Sequence, residues 1–591
     1  MPCVLGLKKE EICMSQDNSA VVVDRAKSQW SDLWKKEDYW AIWIGFFILL
    51  VGLYLVFSGK EDLAAKNAPY VATMQAEVQK TTAFKTIEWH EASAASKGVQ
   101  ATKLPGLKSL LGYLKTPARW QSSPLEALIL SKEEADRRNE AVKPAIEKAK
   151  AAEAAALQTA RTAQDAAAAA MYKDEQLNKA AADAIGAWQK AKGETGKAKK
   201  KEVKPFNIIP TLIGTGIVLG LLCTVGAVFM GFNAVKFFLA FQGVFWLCVL
   251  ANILGNQVTM RKYGLNAEIW GIILGMLVAN TVGTPKWLKY GAQVEYYIKI
   301  GLVLLGATVL FHKIMAIGIP GIFVAWVVTP IVLVCTYIFG QKVLKMPSKT
   351  LNITISADMS VCGTSAAIAT AAACRAKKEE LTVSLGLSMV FTAIMMVVMP
   401  LVIRALNMPE VLGGAWIGGT VDATGAVAAA GAFVGPKAMQ VAATVKMIQN
   451  VLIGVTAFCV AVYFSTKVEA QESGEKVGAM EIWHRFPKFV LGFLAASIFF
   501  SWLSTGLGSD MARILVDNGT NKVAGSLRGW FFVLAFISIG LTTNFRELAK
   551  YFKGGKPVIL YVCGQSFNIA LTLLMAWIMF YKVFPEITAK I

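Results

Sequence analysis

Four apolar stretches of this chain carry side chains able to do chemistry. The first, Asp358-Met-Ser-Val-Cys-Gly-Thr-Ser-Ala-Ala-Ile-Ala-Thr370, sets Asp358, Ser360, Gly363, Thr364 and Ser365 among small residues. A glycine flanked by hydroxyls inside a span predicts an interrupted helix. Its freed N–H groups and the hydroxyls suit an anion. The same composition also serves close helix packing through small residues. The second stretch, Ser538-Ile-Gly-Leu-Thr-Thr-Asn544, repeats the pattern with Gly540, Thr542, Thr543 and Asn544 and predicts a second interruption. The third, Gly418-Gly-Thr-Val-Asp-Ala-Thr-Gly-Ala-Val-Ala-Ala-Ala-Gly431, holds Thr420 and a single charge, Asp422. A carboxylate in a span is costly. It could take up a proton or Na⁺ as the coupling group, or pair with a lysine. A bare carboxylate repels an anion, so a proton or a cation should accompany anion binding. The fourth places Lys446, Gln449 and Asn450 on one helical face. Lys446 could partner Asp422 or Asp358, attract the substrate, or snorkel to the interface. Lys299 reads as a snorkelling lysine.

These groups must be held by apolar runs long enough to cross a bilayer. Trp40–Phe57 is the first and reads as an uncleaved anchor. Twelve more are predicted near 206–231, 235–256, 266–283, 296–312, 318–340, 351–373, 382–404, 411–433, 438–465, 487–506, 527–544 and 557–582, about thirteen in all. Residues 266–404 and 411–582 each hold five, and the two hydroxyl-rich segments are the fourth of each five. Five is odd, so the second set inserts upside down relative to the first, the pointer to an inverted-repeat transporter. Lys35, Lys36, Lys286, Lys289, Lys342, Lys345, Lys349, Lys467, Lys476, Arg485 and Lys488 fall on one side and place the N-terminus in the cytoplasm. Residues 58–205 are then exoplasmic. Positions 132–192 are rich in Ala, Lys, Glu and Gln, which predicts one or two long helices. Gly193–Lys204 reads as a charged linker.

Composition narrows the function classes. The chain has 591 residues, 55% hydrophobic and 17% charged, too apolar for a string of soluble domains. The net charge of +20 sits mostly between apolar runs, as topology signal rather than a nucleic-acid surface. The nine cysteines form no CxxC pair, and the three histidines stand far apart and near no cysteine, so no metal or cofactor is expected beyond a coupling H⁺ or Na⁺. No GxxxxGK[ST] motif marks an ATP-driven pump.

The stretches Gly271-Ile-Ile-Leu-Gly-Met-Leu-Val-Ala-Asn280, Ile300-Gly-Leu-Val-Leu-Leu-Gly306, Gly340-Gln-Lys-Val343, Ser360-Val-Cys-Gly-Thr-Ser-Ala-Ala367, Gly418-Gly-Thr-Val421, Ala428-Ala-Ala-Gly431, Lys446-Met447 and Gly540-Leu-Thr-Thr543 occur in a characteristic order. Through them the chain resembles the sulfate exporter family of bacterial inner-membrane proteins, over roughly half its length. The resemblance implies kinship to cation/proton antiporters and bile acid symporters. It also implies two inverted five-helix repeats with crossed broken helices, elevator-type movement and a homodimer. Where that family has a His-Glu pair after Gly-x-Thr-Val, this chain has Asp422 and Ala423. The resemblance does not reach 58–205.

The expectation is an all-α integral membrane protein: a cytoplasmic segment 1–39, an anchor 40–57, an exoplasmic helical domain 58–205, two further spans at 206–256, and repeats at 266–404 and 411–582. Its expected work is secondary transport of a sulfate-, sulfite- or sulfonate-like anion. Ser360, Gly363, Thr364, Ser365, Thr420, Gly540, Thr542, Thr543 and Asn544 would bind the anion, Asp422 and Asp358 would couple it, and Lys446 would add charge. Besides the bilayer, an exoplasmic protein could bind 58–205. A passive anion channel and a sensor or scaffold are the competing classes; a membrane enzyme lacks any nucleophile–base pair.

Overall fold

The computed structural model describes residues 29–262, 265–308, 311–464, 488–548 and 555–589. Residues 1–28 of the N-terminal segment, and the lysine-bearing stretches 465–487 and 549–554, lie outside the described residues. The protein is an all-α integral membrane protein. Among the described residues eight helices are long and apolar enough to cross a membrane, and two shorter apolar ones lie at Ala267–Asn280 and Thr424–Val434. The described residues within Met1–Phe47, Gly216–Ser501 and Leu527–Ile591 form one compact unit; Ile48–Thr215 with Trp502–Ser526 form a second.

The elements that position the site are α1 (Glu37–Phe57), α2 (Ala267–Asn280), α3 (Val294–Thr308), α4 (Val328–Lys342), α5 (Lys349–Ser360), α6 (Thr364–Ala373), α7 (Lys378–Ala405), α8 (Glu410–Thr420), α9 (Thr424–Val434), α10 (Pro436–Asn450), α11 (Asn521–Thr542) and α12 (Lys556–Trp577). Two of the expected spans are divided. The 351–373 span is α5 plus α6, of 12 and 10 residues. The 411–433 span is α8 plus α9, of 11 residues each. At 1.5 Å per residue a half-helix of this size covers only about 15–18 Å, so neither half crosses alone.

The interruption expected within Ser538–Asn544 does not fall at Gly540; only Thr543 and Asn544, at its end, are non-helical, ahead of a short helix at Phe545–Leu548. Helix α11 runs unbroken through Gly540 to Thr542. Gly540 serves packing instead: a Cβ there would sit 2.5 Å from the Ile272 carbonyl oxygen and 2.8 Å from Gly275 Cα. A Cβ at Gly275 would in turn lie 2.8 Å from Gly540 Cα. Two facing glycines let the α2 and α11 backbones touch, the small-residue contact of membrane helices.

Lys299 does not snorkel. Its Nζ lies 2.6 Å from Glu37, 2.8 Å from Asp38 and 3.6 Å from Glu295, with 11% of the side chain exposed. Asp38 also accepts from the Lys488 N–H at 2.7 Å. One ammonium thus ties the start of α1 to α3. Lys299→Met strands three carboxylates, and breaking a mostly buried pair this way typically costs about 3 kcal/mol. A lower thermal midpoint in detergent is the expected result, and an unchanged midpoint would mean the carboxylates are solvated.

In the second unit the Ala-rich run forms a hairpin of Lys132–Ala169 and Glu175–Lys199, started by Ser131 and Asp174 caps. Gly193–Lys199, expected as linker, belongs to its second helix. Thr195 explains this, because it is buried and its hydroxyl donates to the Ala149 carbonyl at 3.0 Å. Residues Trp502–Ser526 join this unit through Arg513, whose guanidinium donates to Ser96 O at 3.2 Å and Ser96 Oγ at 3.0 Å. Nothing local in that stretch announces the pairing, since Ser96 lies 417 residues away.

Candidate functional site: two facing helix breaks

Helix α5 ends at Ser360, and Val361, Cys362 and Gly363 form the connection to α6. The Gly363 N–H donates to the Asp358 carbonyl at 2.9 Å, closing the turn. Gly363 takes φ +66° and ψ −126°, a conformation that essentially only glycine adopts. The second break is at Val421, Asp422 and Ala423, where Val421 and Ala423 are extended. Its surroundings, Gly418-Gly-Thr-Val-Asp-Ala-Thr-Gly425, hold no strong helix former except Ala423, and Asp favours caps over helix interiors. The two breaks face each other. A Cβ built on Gly363 would lie 3.3 Å from Asp422 Cβ and 3.1 Å from Ser388 Oγ on α7.

A broken helix inside a membrane leaves carbonyls without partners, and each is costly unless satisfied. Side chains of α10 and α12 meet those at the C-terminal ends of α5 and α8. Asn568 Nδ2 donates to Met359 O at 3.2 Å, and Gln449 Nε2 to Ser360 O at 3.0 Å. Lys446 Nζ donates to Val361 O at 2.8 Å and to Gln449 Oε1 at 2.9 Å. On the other break, Gln449 Nε2 reaches Gly419 O at 3.3 Å and Gln565 Nε2 reaches Thr420 O at 3.0 Å. Gln449 also donates to Thr329 Oγ1 of α4 at 3.0 Å. One amide therefore staples both breaks. Gln449→Leu orphans Ser360 O and Gly419 O together, for an expected loss on the order of 2 kcal/mol. Thermal unfolding of the purified variant in detergent reads this, and an undisturbed midpoint would show that the carbonyls find other donors.

The opposite ends are treated differently. Neither α6 nor α9 has a side-chain cap at its N-terminus. The first intrahelical bonds there come from Ala367 N to Gly363 O and Val427 N to Ala423 O. The N–H groups of residues 364–366 and 424–426 are thus left over by the helices, with the Ala366 N–H facing the Cys362 thiol. The breaks present positive dipole ends and N–H donors, while their negative ends are capped.

Charge is concentrated at the same place. Asp358 is 0%, Asp422 1% and Lys446 1% exposed. Asp422 Oδ2 accepts from the Tyr561 hydroxyl at 2.5 Å. Asp358 Oδ2 accepts from Ser384 at 2.6 Å, while its Oδ1 has no hydrogen-bond partner among the described residues. Lys446 gives its bonds to Val361 O and Gln449, and forms no ion pair with either aspartate among the described residues. Its position at the break also excludes snorkelling.

The predicted residues divide accordingly. Gly363, Asp358, Asp422, Thr420 and Lys446 are brought together. Thr420 Oγ1 is buried and without a hydrogen-bond partner among the described residues. Ser360 is at the break, but its hydroxyl donates back to Ser356 O at 2.7 Å. Ser365 is exposed on the first turn of α6, and the Thr364 side chain lies outside the described ones. Thr542 and Thr543 donate to carbonyls of their own helix, Ser538 O at 2.9 Å and Ile539 O at 2.7 Å. Asn544 Oδ1 accepts from the Arg546 N–H at 3.0 Å. That segment borders the site through Ile539, whose Cδ1 would be 3.4 Å from a Cβ on Gly425. Sequence reasoning missed Tyr561, Gln565 and Asn568 on α12, Ser384, Ser388 and Thr392 on α7, and the capping work of Gln449. The signal was present: polar residues at i, i+4 and i+8 or i+7 in apolar spans place them on one helix face.

A model of the family described as Conserved hypothetical protein 698 matches residues 238–561. A UPF0324 membrane protein of Nitratidesulfovibrio vulgaris is 60% identical over 581 residues, 98% of this chain and 100% of the relative. A UPF0324 membrane protein of Rhodopirellula baltica is 54% identical over 64% of this chain and 69% of its own length. The UPF0324 inner membrane protein YeiH of Escherichia coli is 25% identical over 52% of this chain and 84% of its own. The names state a membrane location and no substrate. No solved structure matches the chain.

Proposed function

We propose a function from one premise: the chain belongs to the family described as Conserved hypothetical protein 698. On our reading it is a secondary active transporter of a small sulfate-, sulfite- or sulfonate-like anion. The observation that carries this is the asymmetry of the two breaks. Carbonyl ends are capped by built-in amides and an ammonium, while the N–H ends of α6 and α9 stay uncapped. A protein that needed only to close its breaks would have capped both ends. Uncapped N–H groups inside a membrane suit a transient anionic ligand.

The anion docks at those N-termini, near Ser365 and Thr420, with Lys446 supplying a positive charge behind the Val361 carbonyl. Asp422 and Asp358 take up H⁺ or Na⁺, which brings the loaded site close to neutrality and lowers the cost of crossing a low-dielectric barrier. The part bearing both breaks then moves, elevator-fashion, in a homodimer. The E. coli relative's inner-membrane location extends to this chain under the same reading, with the N-terminus cytoplasmic. Counterflow of labelled sulfate into proteoliposomes, with sulfite, thiosulfate and small sulfonates as competitors, tests it. Saturable exchange suppressed by a competitor supports a carrier. Unsaturable flux would point to a channel, and no exchange of any of these anions by folded protein would remove the reading.

A further inference from the structure

Thr424 opens α9, and its hydroxyl is engaged differently from others near the breaks. Ser356, Ser360, Thr542 and Thr543 each donate to a carbonyl of their own helix, at 2.7–2.9 Å. Thr424 has no such outlet. The carbonyl four residues back is that of Thr420, across the break at the end of α8, and it accepts from Gln565 Nε2 at 3.0 Å. The Thr424 hydroxyl oxygen instead accepts from Asn450 Nδ2 at 3.2 Å. Its own proton has no acceptor among the described residues. The side chain is partly exposed and stands on the uncapped first turn of α9.

Asn450 makes this contact at a cost. It ends α10, is 2% exposed, and follows Lys446 and Gln449, which serve the carbonyl ends of the breaks. Asn450 turns to an N–H end instead. Its Oδ1 is buried and without a hydrogen-bond partner among the described residues. A buried amide oxygen with no donor is destabilising, and an apolar side chain would fill the same space without that penalty. The amide is kept for what it does to Thr424. With a lone pair of the hydroxyl engaged by Nδ2, the Thr424 proton points away from Asn450 and stays available to a further acceptor.

We infer that Thr424 is a direct ligand of the anion, donating its O–H, and that Asn450 is the positioning residue that keeps this hydroxyl a donor. An oxyanion oxygen is the acceptor that the Thr424 proton lacks, and a hydrogen bond to a charged acceptor is among the strong ones. The O–H stands on the same turn as the leftover N–H groups of residues 424–426, so the turn offers separate donors for separate oxygens of one group. That suits a sulfur oxyanion or a sulfonate, which carries several acceptor oxygens on one centre, better than a halide, which is a single atom. Helix α10 then serves both ends of the site. Lys446 and Gln449 close the carbonyl ends, and Asn450 prepares the open one. The inference names a contact within the transporter reading and rests on that reading for the class of ligand.

Binding, read without flux, tests it. The purified full chain in detergent is melted against rising sulfate, with thiosulfate, sulfite and chloride in parallel, and the rise of the thermal midpoint gives the affinity. Thr424→Val keeps the shape and is expected to weaken sulfate by about 10-fold or more, with Thr424→Ser recovering most of that loss. Asn450→Leu is expected to weaken sulfate by a similar factor while leaving the anion-free midpoint unchanged or higher, because it removes the orphaned oxygen. A lower anion-free midpoint in both variants with undiminished affinity would mean that the pair only holds α9 to α10, and would overturn the inference. Undiminished affinity in Thr424→Val alone would overturn it too, and would leave the anion reading in place. Chloride stabilising as strongly as the sulfur anions would overturn the oxyanion assignment. No stabilisation of the wild type by any of these anions would bring down the carrier reading itself, and the role of Thr424 with it. Should Thr424→Val fail to fold, Asn450→Leu reads the same hydrogen bond from its other side.

Discussion

Gly363→Ala is expected to cut counterflow by roughly 100-fold or more, a barrier increase of about 2.7 kcal/mol, while the protein still inserts in the membrane. Two costs combine. The backbone at φ +66° and ψ −126° strains any residue with a Cβ, by about 1–3 kcal/mol. The added methyl also meets Ser388 Oγ at 3.1 Å and Asp422 Cβ at 3.3 Å, tighter than ordinary contact. Neither neighbour can retreat without loss. Ser388 is buried, and Asp422 is held by the Tyr561 hydrogen bond. The break has a second way to respond. Alanine favours the α-helix by about 1 kcal/mol over glycine, so the chain is pushed to run α5 into α6 and to withdraw the N–H groups from the site. Gly529→Ala is the control. Gly529 lies within α11, and a Cβ there meets nothing within 4 Å. That variant should transport normally and be slightly stabilised. If Gly363→Ala exchanged anions at the wild-type rate, the break would not be part of the path.

The contrast between Gly363 and Gly540 shows how far the sequence is legible. Both sit among hydroxyl residues in an apolar span, and the pattern predicts a helix break at each. It holds at Gly363, where the glycine adopts a left-handed conformation, and fails at Gly540, where it meets another glycine. Composition encodes that a side chain is absent, not whether the backbone or a neighbour requires it. Asp422 was legible as a costly buried charge. That it occupies a break was not, since the cue for a break is glycine between hydroxyls, and Val421-Asp-Ala423 has none. The capping amides were hidden for another reason. Gln565 meets Thr420 across 145 residues and Asn568 meets Met359 across 209, so no local pattern pairs them. The all-α membrane character came through because hydrophobic runs are local, while eight helices among the described residues, not thirteen, are long and apolar enough to cross. The identity of the facing partner did not, because it depends on tertiary packing.

Asp422→Asn should separate exchange from accumulation. Asparagine keeps the shape and an acceptor for the Tyr561 hydroxyl, so the break should persist and labelled anion should still exchange with unlabelled anion. What it removes is the ability to carry a charge that changes during the cycle. With one of the two aspartates neutral at every pH, the site retains the Lys446 ammonium against a single remaining carboxylate, Asp358. Uptake against a gradient should then fall by roughly 100-fold, equivalent to about 2.7 kcal/mol, and the pH or sodium dependence of uptake should flatten. Counterflow, which needs no net movement of the coupling ion, should fall far less. The measurement is paired: counterflow and gradient-driven uptake in the same proteoliposomes across a range of pH, with and without sodium. Equal loss of both would make Asp422 a structural support of the break, on a par with Gln449. Full retention of driven uptake would move the coupling role to Asp358, whose unpartnered Oδ1 is the other buried carboxylate oxygen at the crossing able to accept the ion.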